Sequence, residues 1–311
     1  LEKGCVYVVE LLEHLNLPES ISGLANPKSS TGRLDIFTRL IADRSDGFDS
    51  VHGKYEGKIY AEISPCSFSI RVRKGSRLNQ IRFRRRHPSQ NENRKFSLGD
   101  RELLKRHNEQ PLVDGEIQLR NGLILSVDLI GENNSELIGY RAQRYSGVVD
   151  VDEAGKYHWR DFWEPMEARK GRVVLDPGQF YIFASKENVL IPPDEAAEMA
   201  PIRPELGEFR AHYAGFFDPG FGYAGAGGKG ARAVLEVRTG AQPNTGLLRT
   251  VVVTAGPVAG STSLMVNTAF VKDILGPNPP PMTWTVLVSS GSLFSLGGGC
   301  ARNNQVDFPY I

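Results

Sequence analysis

The sequence predicts a mainly β protein built as two tandem units, and three observations carry that expectation. Short β-branched and aromatic runs alternate with turn signals: Val6–Val9, Ile59–Ile63, Phe68–Val72, Ile81–Phe83, Leu123–Leu129, Phe180–Phe183 and Ala233–Val237 all read as strands. Glycine (33) and proline (19) are frequent, while helix candidates are few. A pattern near the start returns at a constant offset of 174: Leu1, Gly4, Tyr7, Pro18, Pro27 and Glu62 recur as Leu175, Gly178, Tyr181, Pro192, Pro201 and Glu236. Matches held in one register over so long a period mark a duplicated structural unit.

Taken in order, residues 1–83 form the first β unit. Leu1-Glu2-Lys3-Gly4 makes a turn and a strand begins at Val6. Leu17-Pro18 leads down to a loop at Lys28, then comes the strand carrying Glu62, a turn at Lys74-Gly75 and a last strand, Leu78–Phe83. Residues 84–116 turn polar, opening with Arg84-Arg85-Arg86-His87, and read as a linker with a solvated basic face. Within it, Ser97-Leu98-Gly99-Asp100 resembles a helix N-cap box, and Arg101–His107 is the short helix it starts. Residues 117–239 form the second unit. Its strand Leu125–Leu129 lies 50 residues before Leu175, and the same step back from Leu1 falls outside these residues, so the first unit is read as lacking its first strands. From 240 to 311 the repeat stops: Val252–Pro257, where the offset places a copy of Leu78–Phe83, does not resemble it.

Composition sets outer limits. A chain of 311 residues can bury one large core or two ordinary ones. A net charge of +1 gives no bulk electrostatic reason to expect nucleic acid or an anionic membrane as partner. Cys5, Cys66 and Cys300 are far apart with no C-x-x-C spacing, which argues against a zinc site and a disulfide framework and predicts a cytoplasmic protein. No apolar run approaches the roughly 18 residues of a membrane span, and no signal peptide is visible.

Two stretches carry chemistry. Lys28-Ser29-Ser30-Thr31-Gly32-Arg33 gathers two cations, three hydroxyls and a glycine, a donor set that suits a polyphosphate. It lacks the Walker A order, and a solvated turn has the same composition. Glu236, between Leu235 and Val237, is either a solvent-facing strand position or a buried carboxylate available for proton transfer. His212 reads as a core, surface or site histidine; Gln80 either contacts a base or ends a strand; Trp159 and Trp163 read as packing residues.

The order and spacing of these stretches resemble the deoxycytidine triphosphate deaminase family in its tandem two-unit form. Lys28–Arg33 is similar to that family's R-S-S-x-x-R phosphate loop, with Lys for the first Arg. The segment His212 to Phe221 loosely resembles its H-x-x-A-x-x-x-D-P-G-W stretch, Ala233–Val237 the strand of its catalytic glutamate, and Leu125–Leu129 its early S-L-D-L strand. The resemblance covers residues 1 to about 238. It implies two distorted β-barrel units of the dUTPase-like fold with few short helices. It also implies hydrolysis of dCTP to dUTP and ammonia in pyrimidine deoxynucleotide metabolism, and homo-oligomers with a trimer-like arrangement in which sites form between subunits.

The two units differ in what they keep. Unit one has the phosphate loop but Asp43–Phe48 where D-P-G-W is expected; unit two has Asp218-Pro219-Gly220 but Ile202–Gly207 where the loop belongs. Carried over residue by residue, the resemblance gives Glu236 as general base and Ser29 as the hydroxyl that orients water. Lys28, Ser30 and Arg33 hold the triphosphate as its Mg²⁺ complex, with Ala214, Asp218, Gln80 and Glu62 as further substrate contacts. Protein-bound zinc is not expected, because the H-x-E…P-C-x-x-C arrangement of zinc deaminases is missing. Two alternatives remain: a dUTP pyrophosphatase or bifunctional enzyme, kept open by Tyr223 and Asp218, and an inactive nucleotide-binding subunit.

Overall fold

The computed structural model describes residues 1–45, 47–85, 98–131, 135–168, 172–176, 178–201, 209–211, 216–223, 227–239, 251–254, 265–272, 283–287 and 294–295. The chain divides into two compact units. Unit 1 comprises Leu1–Glu92, Gln143–Phe162 and Ile274–Ile311; unit 2 comprises Asn93–Ala142 and Trp163–Asp273.

The first stretch of unit 1 runs β1 (Tyr7–Asn16), β2 (Ile21–Pro27), α1 (Ser29–Gly32), β3 (Ile36–Ala42), β4 (Ser50–Val51), β5 (Glu56–Pro65), β6 (Ile70–Arg71) and β7 (Arg77–Arg85). Next come α2 (Asp100–Glu109), β8 (Leu123–Ser126), β9 (Leu137–Ala142), β10 (Val149–Asp150), β11 (Trp163–Glu167), β12 (Arg172–Leu175), β13 (Phe180–Val189), β14 (Glu195–Pro201), β15 (Phe209–Ala211), β16 (Phe216–Phe217) and β17 (Ala231–Thr239). The final segment gives β18 (Val251–Thr254), β19 (Met265–Lys272), β20 (Thr283–Leu287) and β21 (Phe294–Ser295). Among the described residues no helix is long and apolar enough to cross a membrane.

In unit 1 the sheets are β21-β1-β5-β3, β20-β7-β2-β4 and the parallel pair β10-β6. The alternation of side chains along a strand decides which faces are buried. Ile36, Thr38, Leu40 and Ala42 of β3 point inward, as do Ile59, Ala61 and Ile63 of β5, while the residues between them are half-buried. Phe68 completes this core and meets the buried Phe162 edge-on at 5.6 Å. That contact ties residues 143–162 to unit 1 although β9 and β11, which flank them in sequence, pair with each other in unit 2. Burying one phenylalanine stabilises by about 1.5–3 kcal/mol.

Unit 2 has the sheets β11-β9-β13-β17-β15, β16-β14-β19-β8 and β12-β18. Its core contains Leu123, Leu125, Tyr181, Phe183, Val189, Leu235 and Val237. Leu103 of α2, Leu112 and Val113 are buried in the same core, so the stretch read as a linker supplies packing residues. The helix starts one residue before its expected position and runs two beyond it. Its N-cap is Gly99, whose N–H donates to Glu102 Oε2 at 2.9 Å. The Asp100 carboxylate instead accepts from the N–H groups of Asn121 and Gly122.

The β1–β5 ladder pairs Tyr7 with Ile63 and Val8 with Glu62, and shifts register between Glu10 and His14. The β13–β17 ladder pairs Tyr181 with Val237 and Ile182 with Glu236, and shifts between Ala184 and Asn188. Each of these positions lies 174 residues beyond its counterpart. The turns agree too: the N–H of Glu2 donates to Tyr7 Oη and that of Asp176 to Tyr181 Oη, with Gly4 and Gly178 both at positive φ.

Several expectations change. The described strands form separate sheets of two to five strands, and no closed barrel is present among them. The strand expected at Phe68–Val72 is cut to Ile70–Arg71, and that at Leu123–Leu129 ends at Ser126. The tail does contribute strands: β19 pairs with β14 as β7 pairs with β2, but 187 residues further on rather than 174, so a fixed offset could not find it. Cys5 is disulfide-bonded, against the expectation of no disulfide. Spacing along the sequence does not decide which cysteines meet, because a disulfide requires only that two Cα atoms come within about 7 Å in the fold.

Candidate active site

In unit 1 the predicted phosphate loop begins where β2 ends at Pro27. The Lys28 N–H donates to Leu78 O at 2.9 Å, and the Lys28 carbonyl accepts from both Thr31 N and Gly32 N at 2.9 Å. This makes the single turn α1, in which Thr31 and Gly32 are buried, Lys28 is half-buried and Ser29, Ser30 and Arg33 are exposed. The turn is anchored by Asp35 at φ +55, whose buried carboxylate accepts from Ser67 Oγ at 2.6 Å and whose carbonyl accepts from Cys66 N.

Lys28, Ser30 and Thr31 line a cleft of about 250 Å³ together with Gly75, Arg77, Val151 and Asp152. Two hydroxyls and two cations converge there, a polyphosphate donor set. Ser29 and Arg33 are not among the lining residues. Arg77 and Asp152 were missed from sequence. Arg77 follows the Lys74-Gly75 turn and was a findable basic neighbour. Asp152 reaches the cleft only because β10 pairs with β6, which no local spacing reveals. Nearby, the Arg73 guanidinium grips Asp150 and holds its carboxyl below the usual carboxylate range.

The two glutamates occupy matching ladder positions in different surroundings. Glu62 stands opposite Arg39 on β3 and accepts from its Nη2 at 2.7 Å and Nε at 3.0 Å. The Arg39 guanidinium also lies over the rings of Phe48, at 3.9 Å, and Phe37, at 4.8 Å. Beside them Asp49, at φ +62, accepts from Leu40 N at 2.7 Å, and burial pushes its pKa up to about 6. Glu236 is 4% exposed on β17, and the residues across the sheet from it are Ile182 and then Tyr140. The described β15 ladder ends at Ala211–Val237, one pair short of Glu236.

Asp218 is exposed in the turn that closes at Gly220, φ +84, with Phe221 N donating to the Asp218 carbonyl. Gln80 is half-buried on β7, opposite Asn26. Tyr223 lies near Arg106, Asp194 and Glu195, and burial raises its pKa. Trp163 packs near Phe180, whereas Trp159 is exposed between His158 and the Arg160 guanidinium. His212, Ala214 and the segment 202–207 lie outside the described residues.

Comparison with known proteins bears on both units. Residues 1–87 match the family model described as the 2'-deoxycytidine 5'-triphosphate deaminase N-terminal domain, and residues 99–247 match that of the C-terminal domain. The chain is similar to the crystal structure of 2'-deoxycytidine 5'-triphosphate deaminase from Agrobacterium tumefaciens, with 46% identity and a TM-score of 0.77 over 88% of this chain and 76% of that one. No curated protein matches the chain.

Proposed function

The chain belongs to the 2'-deoxycytidine 5'-triphosphate deaminase family and deaminates dCTP, and from that premise we propose that Glu236 is the carboxylate that moves the proton. Water adds to C4 of the cytosine ring as Glu236 takes its proton. Glu236 then gives a proton to the departing amine, leaving dUTP and ammonia. A carboxylate held at a fixed, buried strand position can accept a proton from water and return it to a leaving group. The observation that carries this reading is the burial of Glu236 within β17, at the register position that Glu62 holds in unit 1.

We assign the triphosphate, as its Mg²⁺ complex, to the Lys28 cleft of unit 1, with Lys28 and Ser30 as its first contacts. Ser29 and Arg33, exposed on the same turn, act from outside the cleft wall, Ser29 orienting the water and Arg33 adding charge. Asp218, Ala214 and Gln80 are proposed base and sugar contacts. Glu62 is proposed to bind without catalysing. The shared registers and turn hydrogen bonds support an internal duplication. We further propose a homo-oligomer as the working form and deamination without protein-bound zinc, the latter on the absence of the zinc-deaminase motif.

Incubating purified protein separately with dCTP and dUTP tests the reading. Stoichiometric ammonia and dUTP from dCTP are expected. Pyrophosphate from dUTP, with no ammonia from dCTP, would replace the deaminase with a pyrophosphatase.

A further inference from the structure

We infer that Asp152 is a specificity-determining residue that makes the Lys28 cleft select the magnesium complex of the nucleotide over the bare nucleotide. The inference rests on the triphosphate assignment above. Asp152 lines the cleft together with Lys28, Ser30 and Arg77, so one carboxylate stands among its cations and hydroxyls. A carboxylate there repels an uncomplexed triphosphate and attracts the cation that a triphosphate chelates.

The side chain is prepared for such a contact. Its Oδ2 accepts from Ser76 Oγ at 2.5 Å and lies 3.5 Å from Arg73 Nη1, while the Asp152 N–H donates to Asp150 Oδ1 at 3.2 Å. Asp150 is itself buried and held by Arg73, which fixes the backbone from below. Asp152 Oδ1 receives no hydrogen bond from the described residues, and the side chain is 38% exposed. One oxygen is therefore committed to positioning and the other is open to a ligand. Magnesium keeps several of its waters and is commonly held by one or two carboxylates together with substrate phosphates, so a single carboxylate accepting from a magnesium-bound water is sufficient.

Asp152 comes from residues 143–162, the stretch that leaves unit 2 after β9 and packs in unit 1. That excursion thus gives the phosphate cleft a residue that the loop Lys28–Arg33 does not contain.

The test uses the full chain and dUTP, which carries the same triphosphate and cannot be deaminated. Calorimetric titration is run in excess MgCl₂ and in EDTA on wild type, Asp152→Asn and Lys28→Ala. Wild type is expected to bind dUTP about tenfold more tightly with magnesium. Asp152→Asn, which keeps an acceptor for Ser76, is expected to reduce that ratio to about one and to bind magnesium-free dUTP at least as well as wild type. An unchanged ratio in Asp152→Asn overturns the inference. So does an equal loss in both conditions accompanied by a lower melting temperature, the mark of a purely structural residue. If Lys28→Ala binds like wild type in both conditions, the triphosphate assignment itself fails, which is a separate result.

Discussion

Glu62 and Glu236 stand at the same rung of matching ladders, yet their surroundings differ. Glu62 faces Arg39, whose guanidinium is further held over two phenylalanine rings. The ion pair fixes where the Glu62 carboxylate sits and takes up its hydrogen-bonding capacity. Glu236 lies more deeply buried, with Ile182 and Tyr140 across the sheet. The strand frame places a carboxylate at both rungs, while the neighbouring strand sets what stands across from it: Arg39 for Glu62 and Ile182 for Glu236.

Breaking the catalytic side of the contrast has the largest expected effect. Glu236→Gln should lower kcat for ammonia release by about 10²–10⁴-fold, the usual contribution of general acid–base catalysis, with little change in KM. Lys28→Ala should raise KM by about 10–100-fold, since a hydrogen bond to a charged group contributes about 1.5–3 kcal/mol. Arg33→Ala should cost less, because Arg33 does not line the cleft.

The unit 1 side is probed through stability. The folded pKa of Asp49, about 6, lies above the unfolded value of 3.8, so between those values the native state holds the proton more readily. Stability should therefore fall as pH rises from about 4 to about 6, by about 1–3 kcal/mol, and then level off. Asp49→Asn should flatten this part of the profile in urea titrations at several pH values. Arg39→Ala should destabilise unit 1 by about 1 kcal/mol, the scale of a partly exposed ion pair with cation–π support, and leave ammonia release unchanged.

The strand residues that alternate cleanly were legible from sequence. Tyr7, Val9, Ile59, Ile63, Leu235 and Val237 are all buried, and Glu62 and Glu236 share a register position as the 174-residue pattern expects. The loop at Lys28 was legible as an anion candidate because its donors are consecutive. Arg77 was within reach as a basic neighbour of the Lys74-Gly75 turn, but Asp152 was not, because a cleft is assembled by chain segments distant in sequence and its composition is a product of packing. The Arg39–Glu62 pair was hidden for the same reason: cross-strand partners depend on register, which a sequence pattern gives for one strand at a time. The strand β19 escaped because an insertion breaks any fixed offset.

The central claim is that Glu236, and not Glu62, carries the deamination. Its most direct test is a side-by-side comparison of Glu62→Gln and Glu236→Gln, each assayed for ammonia release at saturating dCTP and for dCTP binding. The expected result is that Glu62→Gln keeps a wild-type rate, while Glu236→Gln still binds dCTP but releases ammonia at least a hundredfold more slowly. A rate that falls with Glu62 and survives the loss of Glu236 would contradict the account.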